Sequence, residues 1–168
     1  MKFCSECGEA LSLLIPDGDN LARHVCQSCG MIHYLNPKLV VGCIAEWRDQ
    51  ILLCRRSIAP RYGLWTLPAG FMENGETTAD AARRETLEEA CAQVEISQPF
   101  AMISVPHINQ VHLFYRARLL DGSFAAGLET LEAALCSEET IPWQRAYFAD
   151  RKTGRFVFHE DEIRPPIG

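Results

Sequence analysis

No apolar run in these 168 residues approaches the roughly 18 that a membrane-spanning helix requires. Positive charge is in short supply: 16 Lys and Arg stand against 22 Asp and Glu, for a net charge of −6. That balance argues against a general nucleic-acid or anionic-membrane binder, which needs a basic patch. An anionic substrate is still compatible with it if cations mask the repulsion. The N-terminal MKFCSECGEA lacks the apolar stretch of a secretory signal, so the expectation is a cytoplasmic protein or the mature part of an organellar one. There are no internal repeats and no low-complexity segments. The length fits one full domain with a small appendage, and 48% hydrophobic residues suffice for a real core.

Cysteine, by contrast, is plentiful. Four of the eight fall into two pairs, Cys4-x2-Cys7 and Cys26-x2-Cys29, separated by 18 residues. Each pair is followed by a glycine, Gly8 or Gly30, which lets backbone amides turn toward the sulfurs. Two such knuckles fit a tetrahedral four-thiolate Zn2+ site, and IPDGDN between them predicts a β-hairpin insert. A redox role fits less well, because one dithiol would suffice and no βαβ pattern surrounds either pair. A segment this short buries too little to fold alone, so metal would supply much of its stability. Residues 1–34 therefore read as a zinc-ribbon unit, with His24 and His33 structural rather than ligands, and HYLNPKL as the linker. Cys43, Cys54, Cys91 and Cys136 sit among apolar neighbours and read as small core residues in a reducing compartment.

Beyond the linker, LVVGCIAEW and ILLCRR flank RDQ as the strands of a hairpin. Further strands are expected at FAMISV, VHLFYRARLL and LEAALC, and a short helix at WQRAYFADRKTG closed by Gly154. TTADAARRETLEEACAQ reads as a helix that Thr77 or Thr78 can N-cap, with Thr77-x-x-Asp80 approximating a capping box. On it Glu85, Glu88 and Glu89 lie at about 0°, 300° and 40°, one acidic arc. Ala79, Ala82, Thr86, Leu87, Ala90 and Val94 span about 60° to 200°, the sector a core would take. Arg83 falls in that sector without an account, and Arg84 can orient Glu88 at i,i+4. Taken alone, such acids are more often a solvated face. Clustered on a rigid helix, they also suit hard divalent cations.

The upstream residues shift that balance. Gly70, five residues, Glu76, seven residues, then Arg84-Glu85-x-x-Glu88-Glu89 resembles the Nudix box, G-x5-E-x7-R-E-U-x-E-E-x-G-U, at every charged position. Thr86, Cys91 and Ala92 depart from it, Cys91 standing where the pattern has its late glycine. The resemblance spans about residues 37 to 142 and implies an α/β (α+β) fold: a Nudix α/β/α sandwich of mixed sheet with flanking helices over residues 37–168, behind the ribbon. It implies hydrolysis of a nucleoside-linked pyrophosphate with Mg2+ or Mn2+ held by Glu85, Glu88, Glu89 and the Gly70 carbonyl. Arg84 and Glu76 would orient that cluster. A second acid often comes from downstream; Glu129, Glu132, Glu138 and Glu139 are candidates, and Glu132 is the residue expected.

A zinc ribbon ahead of a Nudix domain resembles two groups. NADH pyrophosphatases, which also remove NAD caps from RNA, carry a Ser-Gln-Pro-Trp-Pro-Phe-Pro-x-Ser motif where this chain reads SVPHINQ, without tryptophan. The bacterial and plastid zinc-ribbon group is closer in wording, and implies FAD or ADP-ribose type substrates split to AMP. Oxidised nucleotides are a weaker option. For substrate contacts, Arg55, Arg61 and also Arg56 are candidates toward phosphate, and His107, Asn109 and Gln110 toward base or ribose. Phe114 or Tyr115 would stack, and alternation allows only one of them to face a ligand. Trp65 reads as a core aromatic. Members of the group usually have another helix before YFADR, whereas here Trp143 is followed at once by QRAYFADR. The expected partner is a small nucleoside diphosphate derivative, with a homodimer possible in this superfamily. From another class stands a zinc-ribbon adaptor binding nucleic acid or protein through an idle Nudix fold, against which the complete set of charged box residues weighs.

Overall fold

A computed structural model describes residues 1–146 of the chain, which divide into two compact units, 1–37 and the part from Lys38 onward. In the first, β1 (Leu11–Leu14), β2 (Arg23–Cys26) and β3 (Ile32–His33) form a three-stranded antiparallel sheet, and β1 and β2 are the expected hairpin. Its interior is almost nothing but sulfur: within residues 1–37 only Cys4, Pro16 and Cys26 are buried. Phe3, Leu13, Ile15 and Leu21 are exposed, so no apolar core holds this unit together.

The second unit is a mixed sheet with one α-helix among the described residues. β4 (Lys38–Trp47) and β5 (Gln50–Arg56) make the expected hairpin across Arg48-Asp49. The short β6 (Trp65–Thr66) pairs with β5, and β7 (Ala69–Phe71) pairs with β4. After α1 (Thr78–Ala90) come β8 (Val94–Val105), β9 (Gln110–Leu119) and β10 (Thr130–Cys136). The strand order is β10-β5-β4-β9-β8, parallel only between β4 and β9. Of the helix expected from Trp143 to Gly154, the described residues hold a single 3-10 turn, Trp143–Arg145, and the remainder lies outside them. Among the described residues no helix is long and apolar enough to cross a membrane.

β4 sits at the centre. Its odd residues Val41, Cys43 and Ala45 face α1, while Ile44 and its neighbours pack with Leu53, Leu67 and Phe114 on the other side. The face of α1 that meets the sheet carries Ala81, Ala82 and Ala90, all fully buried, so the helix comes close enough for the Cys43 thiol to reach the Ala82 carbonyl at 3.3 Å. Thr86, also buried, returns its hydroxyl to Ala82 O at 2.8 Å.

Two features of the helix differ from the periodicity-based expectation. The buried stripe is Ala81, Ala82, Glu85, Thr86, Glu89 and Ala90, rotated by roughly 80° toward the acids. Leu87 is consequently 49% exposed. Arg83, outside the buried stripe, pairs with Asp80 at 2.6 Å, which accounts for it. The N-terminus is as read, with Thr77 accepting from Asp80 N at 3.1 Å. At the other end Cys91 is exposed rather than core, and caps the helix in the left-handed conformation at φ 48, its N–H bonded to Leu87 O. The late glycine of the pattern is replaced, but the backbone still demands glycine's conformation. Replacing Cys91 by glycine should therefore stabilise the fold by about 1 kcal/mol. Thermal unfolding would register this as a midpoint raised by a few degrees; an unchanged or lower midpoint contradicts strain at Cys91.

Candidate active site

β7 and α1 meet residue by residue. The Ala69 N–H donates to Glu89 Oε2 at 3.0 Å, the Glu85 carboxylate lies against Gly70, and the Phe71 carbonyl accepts from Arg84 Nη2 at 3.1 Å. A methyl group on Gly70 would collide with the Glu85 carboxylate, so the strand can lie there only if it has no side chain at this point. Arg84 gathers the rest. Its guanidinium grips Glu76 with Nε at 3.1 Å and Nη2 at 2.8 Å, while Nη1 reaches Glu85 at 2.7 Å and Glu88 at 3.1 Å. The bidentate bond from Arg84 holds the Glu76 carboxyl below its usual range. Burial pushes Glu85 up despite Arg84, and pushes Glu89 up to about 7.

All of these residues except Glu76 line a cavity of about 730 Å³, together with Glu73, Arg56, Ile58, Pro60, Val40, Gln110, His112, Leu128 and Glu129. The downstream acid at the cavity is thus Glu129, not Glu132. Glu129 is delivered by a loop clamped to the end of α1: Ala125 N donates to Ala90 O at 2.8 Å and Gly127 N to Glu89 O at 3.0 Å. A Cβ on Gly127 would strike the Glu88 carbonyl. Ser57 N then binds Glu129 O at 2.9 Å. Glu132 is exposed on β10 and lies 3.7 Å from Arg55.

The other expected contacts divide. Gln110 lines the cavity; His107 and Asn109 stand in the turn before β9 and do not. Among the arginines, Arg56 lines it, whereas Arg55 and Arg61 do not; Arg55 bonds the Gly63 carbonyl at 3.1 Å. Phe114 is 1% exposed, sealed among Leu53, Leu67 and their neighbours, and offers no ring face to a ligand. Tyr115 faces α1 and bonds Thr78 through its hydroxyl at 2.6 Å. Trp65 packs against the apolar cluster around Phe114, as a core aromatic should. Phe71 and His112, which line the cavity, were not singled out by sequence; the pairing register of β4 with β7 and β9 is what brings them there.

In the first unit the sulfurs of Cys4, Cys7, Cys26 and Cys29 lie within 4.8 Å of one another, the one such group of metal-ligating atoms among the described residues. Cys4 and Cys29 are 3.7 Å apart, Cys7 and Cys26 3.4 Å. A tetrahedral zinc site with bonds of about 2.3 Å requires sulfurs a little under ~4 Å apart, so the four fit Zn2+. The knuckles match: Gly8 N bonds Cys4 O at 3.0 Å and Gly30 N bonds Cys26 O at 2.8 Å, both glycines at positive φ. The Cys29 amide, aimed at the Cys26 sulfur, pulls that thiol down to about 7. His33 Nε2 stands 3.3 Å from Cys4 Sγ, outside the ligand set.

Glu89 carries a pH signature. Its folded-state pKa of about 7 exceeds the ordinary 4.5, so the folded protein binds the extra proton and loses stability as pH rises between those values. In metal-free protein, Glu89→Gln should gain up to roughly 3 kcal/mol at pH 8 and nothing at pH 4. Denaturant titrations at both pH values check this, and an equal difference at both would contradict the burial account. Separately, elemental analysis should find one zinc per chain, lost in Cys26→Ser. A full complement of zinc in that variant would exclude the four-thiolate site.

Comparison with known proteins agrees with the geometry. A solved NUDIX hydrolase from Nitrosomonas europaea is 51% identical, with 95% of this chain and 97% of that one covered at a TM-score of 0.86. A protein of Photobacterium profundum named NAD-capped RNA hydrolase is 39% identical over 61% of this chain and 39% of its own length. One of Methanocaldococcus jannaschii named ADP-ribose pyrophosphatase is 30% identical over 65% of this chain and 67% of its own. The chain thus spans less than half the length of the NAD-capped RNA hydrolases it matches, between 34% and 46%. Family models match a Nudix N-terminal zinc ribbon at residues 2–35 and a NUDIX domain at residues 36–159, and the chain belongs to the Nudix family of hydrolases.

Proposed function

We propose that this chain hydrolyses the pyrophosphate of a nucleoside diphosphate joined to a second moiety, of the ADP-ribose or FAD type, releasing AMP. The observation that carries the reading is the meeting of β7 with α1, where three successive strand residues each contact a charged box side chain at the cavity. Glu85, Glu88, Glu89 and the Gly70 carbonyl are the groups that would hold Mg2+ or Mn2+. An all-oxygen set suits these hard ions, and two of the carboxylates are desolvated anions that a cation would stabilise. When bound, the metal neutralises the diphosphate, activates water and stabilises the leaving phosphate.

The chain's own residues do the positioning. Arg84 fixes Glu85 and Glu88 and is itself fixed by Glu76, so it acts through them rather than on the substrate. Arg56 brings positive charge to the cavity for a phosphate oxygen. Glu129, whose carboxylate has no hydrogen bond or ion pair among the described residues, is assigned to take the proton of the attacking water. A second reading, hydrolysis of NADH or of NAD-capped RNA, is favoured by the names of the relatives. Their partial overlap and the sequence SVPHINQ weigh against it. An adaptor with an idle Nudix fold would have no use for the intact charged set.

The test is a panel of ADP-ribose, FAD, NADH, CoA and 8-oxo nucleotides incubated with pure protein and Mg2+ or Mn2+. AMP should form fastest from ADP-ribose or FAD; rapid cleavage of NADH with FAD and ADP-ribose inert would select the second reading. Glu88→Gln should lower kcat by about 100-fold or more, and no excess of product over this variant would end the enzyme assignment. Glu129→Gln should lose about 100-fold, Glu132→Gln less than about threefold. The reverse order would return the downstream role to Glu132.

A further inference from the structure

The cavity has a wall opposite in character to its acids. In the sheet register Val40 pairs with Phe71 on one side and with His112 on the other, so the three lie abreast across β7, β4 and β9. Two residues along, Lys38 pairs with Gln110 on the same face. Phe71 is 46% exposed, with Lys38 Nζ 4.9 Å from its ring centroid. His112 is buried, and its Nε2 bonds Gln110 Oε1 at 3.0 Å. Burial lowers the pKa of His112, so the ring is neutral near pH 7 and donates from Nε2. That bond occupies the Gln110 carbonyl and leaves its NH2 group as the donor. An exposed phenyl ring, an aliphatic neighbour and an oriented amide donor are the requirements of a planar nitrogen heterocycle, which stacks through its face and accepts at its edge.

We propose that Phe71, Gln110 and His112 form a nucleobase-binding wall of this cavity. Phe71 stacks on the base, Gln110 donates to a ring nitrogen or carbonyl at its edge, and His112 is a positioning residue that fixes the amide. This deepens the function proposed above and rests on it for the identity of the substrate, whose base would lie here with its diphosphate toward the glutamates.

Adenosine is the probe, because it is uncharged and its binding needs no metal. Ligand-observed NMR titration of the metal-free full chain should show adenosine binding with saturation transfer to its purine protons, and no binding of ribose. Phe71→Leu, which keeps apolar bulk without a ring, should weaken adenosine roughly fivefold or more, and Phe71→Tyr should restore it. Gln110→Ala and His112→Phe should each weaken it severalfold. With a cleavable diphosphate substrate, KM in the His112 variant should rise by more than kcat falls, which a merely structural lesion would not give. Absence of adenosine binding, or equal affinity in Phe71→Leu, overturns the proposal. Hydrolysis is read separately: a chain that binds adenosine through this wall but cleaves no diphosphate retains the wall and loses the proposed function. One that cleaves ADP-ribose with adenosine affinity indifferent to all three residues does the opposite.

Discussion

Two glutamates buried against a three-residue strand set the terms for the rest of the domain. Removing carboxylates from water costs several kcal/mol each unless charge or hydrogen bonds are returned to them. Here the return is specific: an amide of Ala69 for Glu89, the Arg84 guanidinium for Glu85, and a strand residue with no Cβ where Glu85 must lie. The alanines of α1 serve the same contact. Larger residues at positions 81, 82 and 90 would lift the helix off β4 and carry the carboxylates away from β7. Helix, strand and arginine are one device, and the apolar core is arranged to press its parts together.

The far end of the helix extends that device. The last carbonyls of a helix need partners, and in α1 those of Glu89 and Ala90 are taken by amides of the loop that follows β9. The same bonds that satisfy the helix end hold Gly127 against the Glu88 carbonyl and carry Glu129 to the cavity two residues later. Capping and positioning are thus a single set of contacts. Strain at Cys91 belongs to the same corner, since the chain must turn sharply there to leave the helix. The fold holds raised carboxylates and a left-handed cysteine, both of which lower its stability in the service of the site.

What was legible in the sequence was whatever depends on spacing along the chain. The two cysteine knuckles, the β4–β5 hairpin and the capping of α1 by Thr77 are all short-range patterns present in the structure, which also brings Gly70, Arg84, Glu85, Glu88 and Glu89 to one cavity. Of the sector expected to be core, Ala82, Thr86 and Ala90 are buried as read, but the assumption that acids mark the solvent side of a helix places Leu87 inside and leaves out Glu85 and Glu89. Strand alternation correctly set Phe114 beside His112, but it cannot tell which residues a second layer covers; Leu53 and Leu67 cover Phe114 and leave His112 at the cavity. Glu129 lines the cavity and Glu132 does not; the ladder shifts register between Thr130 and Glu132, and no periodicity announces a bulge. Arg56 rather than Arg55 reaches the cavity because successive residues of β5 point to opposite faces; alternation separates the two but does not say which face carries the site.

Charge then dictates an order of events. Five glutamates line the cavity against Arg56 and Arg84, and Arg84 is already committed to Glu76, Glu85 and Glu88. At about 6 Å and an effective dielectric near 20, each like-charge pair costs about 3 kcal/mol, so a diphosphate cannot settle beside these acids alone. On the function proposed above, a divalent cation would have to be present with the substrate, and its ligands would include oxygens of Glu85 and Glu88 that Arg84 now holds. Val40, Phe71, Gln110 and His112 carry no acid, and the charge over the Phe71 ring is the Lys38 ammonium, 4.9 Å from its centroid. On the proposed reading an uncharged ring would dock at that wall without a cation, apart from the place where its phosphates are neutralised.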